Sequence, residues 1–185
     1  ELSRMYTTFQ SAMAGGEQVI NLLDTPVEIV DQPDARELDH VTGEITLEHV
    51  TFRYQPDAPI VLYDIHLTFP AGKTTALVGP TGAGKTTIAN LIARFYEVTE
   101  GAVLIDGIDI RAISQDSLRK QVRVISQDPF LFSRSIAENI RYGAPDASDA
   151  QVETAAREAN AHEFISKLPE GYQTRIMEGG VNVSQ

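Results

Sequence analysis

Apolar residues recur with a period near 3.6 at the start of the chain and near two further on. Leu2, Met5, Phe9, Met13, Gly16, Ile20 and Leu23 fall at helical spacing, which predicts an amphipathic helix over residues 1–24, weakened in its middle by Gly15-Gly16. Asp24-Thr25-Pro26 stops it. A helix with one apolar stripe must bury it against something. The sequence leaves open whether that is the domain that follows or an element further upstream. Residues 25–43 read as an acidic, solvated linker, in which Asp31, Asp34, Glu37 and Asp39 face a lone Arg36.

From Glu44 the pattern alternates. Ile45 and Leu47 share one parity and Val50, Phe52 and Tyr54 the other, so the strand is expected to change face at a bulge near Glu48-His49. Gln55 to Pro59 is a turn. Val61, Tyr63, Ile65, Leu67 and Phe69 then alternate with Leu62, Asp64, His66 and Thr68, a second strand with one buried face. Further strands are expected at Thr75 to Val78, at Ala102 to Ile105 before Asp106-Gly107, and at Val122 to Ile125 before the break at Gln127-Asp128-Pro129. Ser117 to Lys120 reads as a short helix. Beyond about residue 130 the pattern turns helical. Ser135-Ile136-Ala137-Glu138 and Ser148-Asp149-Ala150-Gln151 have the capping-box form, and Val152, Ala155, Ala156 and Ala159 mark an inner face. The expected fold is α/β, with antiparallel strands leading into a parallel-type core and a helical subdomain set into it.

Candidate chemistry sits directly after the third expected strand. Gly79 to Thr87 reads GPTGAGKTT and fits G-x-x-x-x-G-K-[ST], with Gly79, Gly84, Lys85 and Thr86 in the required places. Ile88, Leu91, Ile92 and Phe95 follow at i, i+3, i+4 and i+7, completing a strand, glycine loop and helix. Without a Cβ, Gly79, Gly82 and Gly84 let the backbone curl its N–H groups inward, and the next helix points its positive end at the same place. That arrangement suits polyphosphate. The candidate nucleotide site is therefore Gly79, Pro80, Thr81, Gly82, Ala83, Gly84, Lys85, Thr86 and Thr87. Lys85 is expected on the β- and γ-phosphates of ATP, the Thr86 hydroxyl on Mg²⁺, and Thr87 on the α-phosphate side.

Composition narrows the alternatives. The 185 residues allow one ordinary domain, or one and a piece. A net charge of −11 argues against a nucleic-acid or anionic-membrane surface, although a local positive pocket still accommodates ATP. The lack of cysteine removes disulfides, thiolate metal sites and cysteine nucleophiles. No apolar run approaches the ~20 residues of a bilayer span, and the start is not a signal peptide. His40, His49, His66 and His162 are scattered without ligand spacing.

Taken together, Phe52-Arg53-Tyr54, ALVGPTGAGKTT from Ala76, LIDGIDIR from Leu104, ISQDPFLFSRSIAENI from Ile125 and TRIMEGG from Thr174 resemble the ATP-binding domain of an ABC transporter. The resemblance is to the exporter type, in which the membrane domain precedes the ATPase on one polypeptide, and it covers residues 44–185. It implies a phosphate-loop NTPase core with an antiparallel β subdomain and a helical subdomain at about 130–185. Residues 1–24 would then continue from a preceding membrane domain. It also implies that Tyr54 stacks on adenine and that Gln127 reaches Mg²⁺ and the attacking water. The neighbourhood of Phe130, Leu131 and Phe132, and the loop from Glu178 to Gly180, would meet the coupling helices of the membrane domain. The implied partners are a second nucleotide-binding domain and that membrane domain, at the cytoplasmic face of the membrane.

Val183-Ser184-Gln185 aligns with the opening of the family signature LSGGQ, with Gln185 where the first glycine stands. In the resemblance Ser184 contacts the γ-phosphate held by the opposing subunit. The rest of the signature, the strand bearing a Mg²⁺-associated Asp, the catalytic Glu after it and the switch His do not occur within the 185 residues. The expectation is that the polypeptide continues and that these residues alone bind ATP without turning it over. Two alternatives stay open: a regulatory ATP-binding half-site of a heterodimeric transporter, and a soluble phosphate-loop NTPase.

Overall fold

The parity change at Glu48-His49 is built into the sheet as a bulge. In the computed structural model, which describes residues 2–127 and 129–177, strand β1 (Ile45–Phe52) pairs antiparallel with β2 (Leu62–Phe69) and with β3 (Glu100–Ile105). Both registers slip at this point. His49 takes φ 49°, and Leu47, Val50 and Phe52 all end up buried. β3 places Gly101 opposite. At φ +83° it occupies left-handed space, and a Cβ there would run into the carbonyl oxygens of Glu48 and His49.

A second irregularity corrects the strict alternation expected of β2. Asp64 sits at φ 47° and the β1–β2 register slips again between Val50 and Phe52. Leu62 is therefore buried while Tyr63 is exposed. β3 turns into β4 (Ile108–Asp109) through Asp106-Gly107, both at positive φ, as a two-residue type I′ hairpin requires. The sheet order is β2-β1-β3-β4.

Two helices cover this sheet, α2 (Lys85–Ile92) and α3 (Gln115–Gln121), contributing Ile88, Leu91 and Leu118 to one core with Leu47, Val50, Phe52, Val103 and Ile105. Phe95, expected on the inner face, is exposed because α2 ends at Ile92 and Arg94 turns the chain at φ 53°. The strands expected at Thr75 to Val78 and Val122 to Ile125 are irregular. Val78 is 90% and Ile125 93% exposed. Parallel strands form in sheets covered on both faces, and among the described residues neither run has a strand partner.

The acidic stretch expected to be a solvated linker is strapped to this unit. Arg36 forms a parallel bridge with Ile113, its N–H donating to the Ala112 carbonyl. The Leu38 N–H donates to Ser117 Oγ at 2.7 Å. Asp31 accepts from the Gln115 N–H at 3.0 and 3.1 Å, at the first residue of α3. Arg94, 2% exposed, donates to Glu97, to Asp31 and to the carbonyls of Val30 and Ile113. Asp106 accepts the N–H groups of Thr42, Gly43 and Glu44 and the Thr42 hydroxyl. The carboxylates of Asp31 and Asp106 thus answer backbone donors and a buried guanidinium, and only their tertiary partners reveal it.

Helix α1 (Leu2–Leu23) is continuous through Gly15-Gly16. Phe9, Met13, Ile20 and Leu23 are exposed, so the domain that follows does not cover its stripe; the side chains of Leu2 and Met5 lie outside the described set. Among the described residues no helix is long and apolar enough to cross a membrane.

The chain divides into two compact units, Glu1–Val124 and Ile125–Gln185. The second holds α4 (Ile136–Arg141), α5 (Asp149–Glu158) and α6 (His162–Lys167) around Ile136, Ala156, Ile165 and Ile176. Both expected capping boxes form, Ser135 with Glu138 and Ser148 with Gln151. On α5 only Val152 and Ala156 are buried, while Ala155 and Ala159 face out. One short helix packed along a single i, i+4 line buries no wider face.

Candidate functional site: the glycine loop and its aromatic flank

The loop from Gly79 to Gly84 closes directly onto α2. Gly82 and Gly84 both take φ +84°, while Gly79 is near-extended at 159°. Gly84 is the residue before the helix, and a Cβ on it would lie 2.6 Å from Cδ2 of Leu62. Its left-handed backbone is what calls for glycine, and a side chain there would also push the Leu62 methyl aside. The Ala83 N–H donates to the Pro80 carbonyl at 3.2 Å, which tightens the turn. The Lys85 ammonium folds back over the loop and donates to the carbonyls of Gly79 at 2.9 Å and Pro80 at 2.8 Å. Thr86, on the first turn of α2, is exposed, and Thr87 is buried. An ammonium at the loop mouth, left-handed glycines and the N-terminal end of a helix form a cradle for anionic oxygens. An exposed hydroxyl beside that cradle is a suitable oxygen ligand for Mg²⁺.

Tyr54 lies beside this loop. Its hydroxyl is 2.9 Å from Thr87 Oγ1. Its ring stands edge-on to Phe52, with centroids 4.9 Å apart, and to Tyr96 at 5.0 Å. Tyr54 remains 45% exposed and borders a cleft of about 390 Å³ with Arg53, Gln55, Pro56 and Thr99. Sequence reasoning had Tyr54 and Thr87 in separate roles and missed Tyr96 altogether. A tyrosine just past a helix carries no signal of its own. Arg94 was missed too, though an arginine inside an apolar helical run is a usable cue.

Gln127 lies in the second unit on an exposed, irregular segment. After it, Phe130, Leu131 and Phe132 line an apolar groove of about 340 Å³ with Ile136, Tyr142 and Phe164 among its other walls. The Asn139 side chain fixes this segment by bonding both the N–H and the carbonyl of Phe132. Ser184 and the stretch from Glu178 to Gly180 lie outside the described residues.

A glycine loop with its lysine folded over the start of a helix, flanked by an antiparallel sheet and followed by a helical unit, defines a phosphate-loop nucleotide-binding domain. The sequence profile of the ABC transporter family matches residues 62–181. A fatty acid ABC transporter ATP-binding/permease protein of Mycobacterium bovis is 45% identical over 184 residues, covering 100% of this chain and 29% of that protein. An ATP-dependent lipid A-core flippase of Syntrophus aciditrophicus is 44% identical over 183 residues, covering 99% and 30%. A bacterial Atm1-family ABC exporter solved with ATP bound superposes with a TM-score of 0.83 at 39% identity, over 99% of this chain and 32% of that one. The chain thus spans about 30% of the length of the curated relatives it matches. It belongs to the ABC transporter family, as an ATP-binding domain of the exporter kind.

Proposed function

We propose that this domain binds ATP on the Gly79–Thr87 loop and, within a full-length exporter, hydrolyses it to drive substrate across a membrane. The observation that carries this is the cradle itself: left-handed Gly82 and Gly84, with the Lys85 ammonium held at the mouth by two backbone carbonyls. Bound phosphate replaces those carbonyls. Phosphate oxygens add attraction between opposite charges to the hydrogen bonds that the ammonium already makes with neutral carbonyls, so the exchange favours the nucleotide. Tyr54 offers its ring to the adenine, a favourable contact for any aromatic face beside a purine. Mg²⁺, when bound, neutralises charge on the phosphates, and Thr86 would hold it; a share for Gln127 is what the sequence resemblance alone implies. The water-orienting part assigned to Gln127 rests on the sequence resemblance.

In this reading two such domains close head-to-tail over two ATP, Ser184 touches the γ-phosphate of the opposing subunit, and closure switches the membrane domain. The apolar groove with exposed Phe130, Tyr142 and Phe164 supports docking of coupling helices at the cytoplasmic face. The test is Mg-ATP hydrolysis by the full-length polypeptide in lipid vesicles, compared with Lys85→Ala. Loss of that charge is expected to lower turnover by about 10²-fold or more. Equal rates would show that hydrolysis happens elsewhere.

A further inference from the structure

Tyr54 lies two residues beyond the end of β1, yet its hydroxyl is bonded to the helix that starts in the phosphate loop. The partner is Thr87 Oγ1 at 2.9 Å, two residues beyond Lys85. Thr87 is buried and fixed on α2, so the bond ties a half-exposed ring to a rigid element. On the other side Tyr96, which follows the same helix, stands against the Tyr54 ring at 5.0 Å and 87°. Phe52 completes the set at 4.9 Å and 81°. Two of the three groups that orient Tyr54 therefore come from α2 and its exit, and one from the strand.

We propose that Thr87 and Tyr96 are positioning residues for Tyr54, so that the phosphate-loop helix sets the orientation of the base platform. The proposal rests on the reading that Tyr54 receives adenine. Its consequence is a coupling: the ring is correctly placed only when α2 is, and base affinity and phosphate affinity are not independent. A Tyr54 ring held by its strand alone would show no such dependence.

The test separates base from phosphate by titrating the full-length protein with Mg-ATP and with magnesium tripolyphosphate, which lacks the base. Tyr54→Phe keeps the ring and removes only the hydroxyl. One hydrogen bond lost translates into an expected threefold to tenfold weaker ATP binding, with tripolyphosphate unchanged. Thr87→Val weakens both probes, and its extra loss on ATP does not add to that of Tyr54→Phe, as the cycle for a shared interaction requires. Thr87→Ser, which keeps the hydroxyl, restores the ATP preference, and Tyr96→Leu reduces it. Wild-type ATP affinity in Tyr54→Phe, or additive losses in the double variant, would overturn the proposal. Failure of the wild type to prefer ATP over tripolyphosphate would instead remove Tyr54 as a base platform.

Discussion

Replacing Arg94 by methionine removes the guanidinium while keeping most of the side-chain volume. Arg94 is 2% exposed and bonds Glu97, Asp31, and the carbonyls of Val30 and Ile113. The two carboxylate side chains are 36% and 40% exposed, so water replaces the arginine there. Ile113 is fully buried, and its carbonyl, left without that donor, costs about 1–3 kcal/mol. Relief from burying a charge offsets part of this, which keeps the total below the roughly 3–5 kcal/mol typical of breaking a buried ion pair. The expected loss is about 2 kcal/mol, read by circular dichroism as a urea midpoint lower by about 1 M. Because Val30 and Asp31 lose their anchor, trypsin should also cut faster after Arg36 in the strap. An unchanged midpoint together with unchanged cleavage would refute the claim that Arg94 holds this segment to the domain.

Three further outcomes follow from the geometry. Gly101→Ala puts a Cβ against the Glu48 and His49 carbonyls at φ +83°, and strain plus displacement of the bulge should cost about 2–4 kcal/mol, read as a lowered thermal midpoint. The Asp106 carboxyl is held below its usual range, chiefly by the Thr42 hydroxyl and further by backbone N–H groups of Glu44, Thr42 and Gly43. Its contribution is present above the unfolded-state value near 3.8 and is lost as pH falls through the folded value, so Asp106→Asn should lower stability at neutral pH and flatten its acid dependence. Ser148→Ala removes the reciprocal cap with Gln151 at the start of α5 and should cost about 1 kcal/mol in urea unfolding.

Features written in local patterns were readable before any coordinates. The bulge shows in the parity switch between Leu47 and Val50, the phosphate loop in its spaced glycines and Lys85, and the two capping boxes in a serine three residues before Glu138 or Gln151. Features created by distant partners were not. The chain segment around Asp31 reads as a solvated linker until Arg94, 63 residues away, and the Gln115 N–H are placed against it. Tyr63 and Leu62 exchange faces because Asp64 adopts a left-handed backbone, for which alternation gives no warning. At the site, the motif located Thr87 and the family resemblance pointed to Tyr54, but the hydrogen bond between them spans 33 positions and depends on how the end of β1 and α2 pack.

The central claim is that the Gly79–Thr87 loop is where ATP binds, and the most direct test is a calorimetric titration of Mg-ATP into the wild type and Lys85→Ala. Losing a charge-assisted bond of about 1.5–3 kcal/mol should weaken binding by about tenfold to a hundredfold with the fold, read by circular dichroism, intact. Equal affinity in the two proteins would place the nucleotide elsewhere and contradict the account.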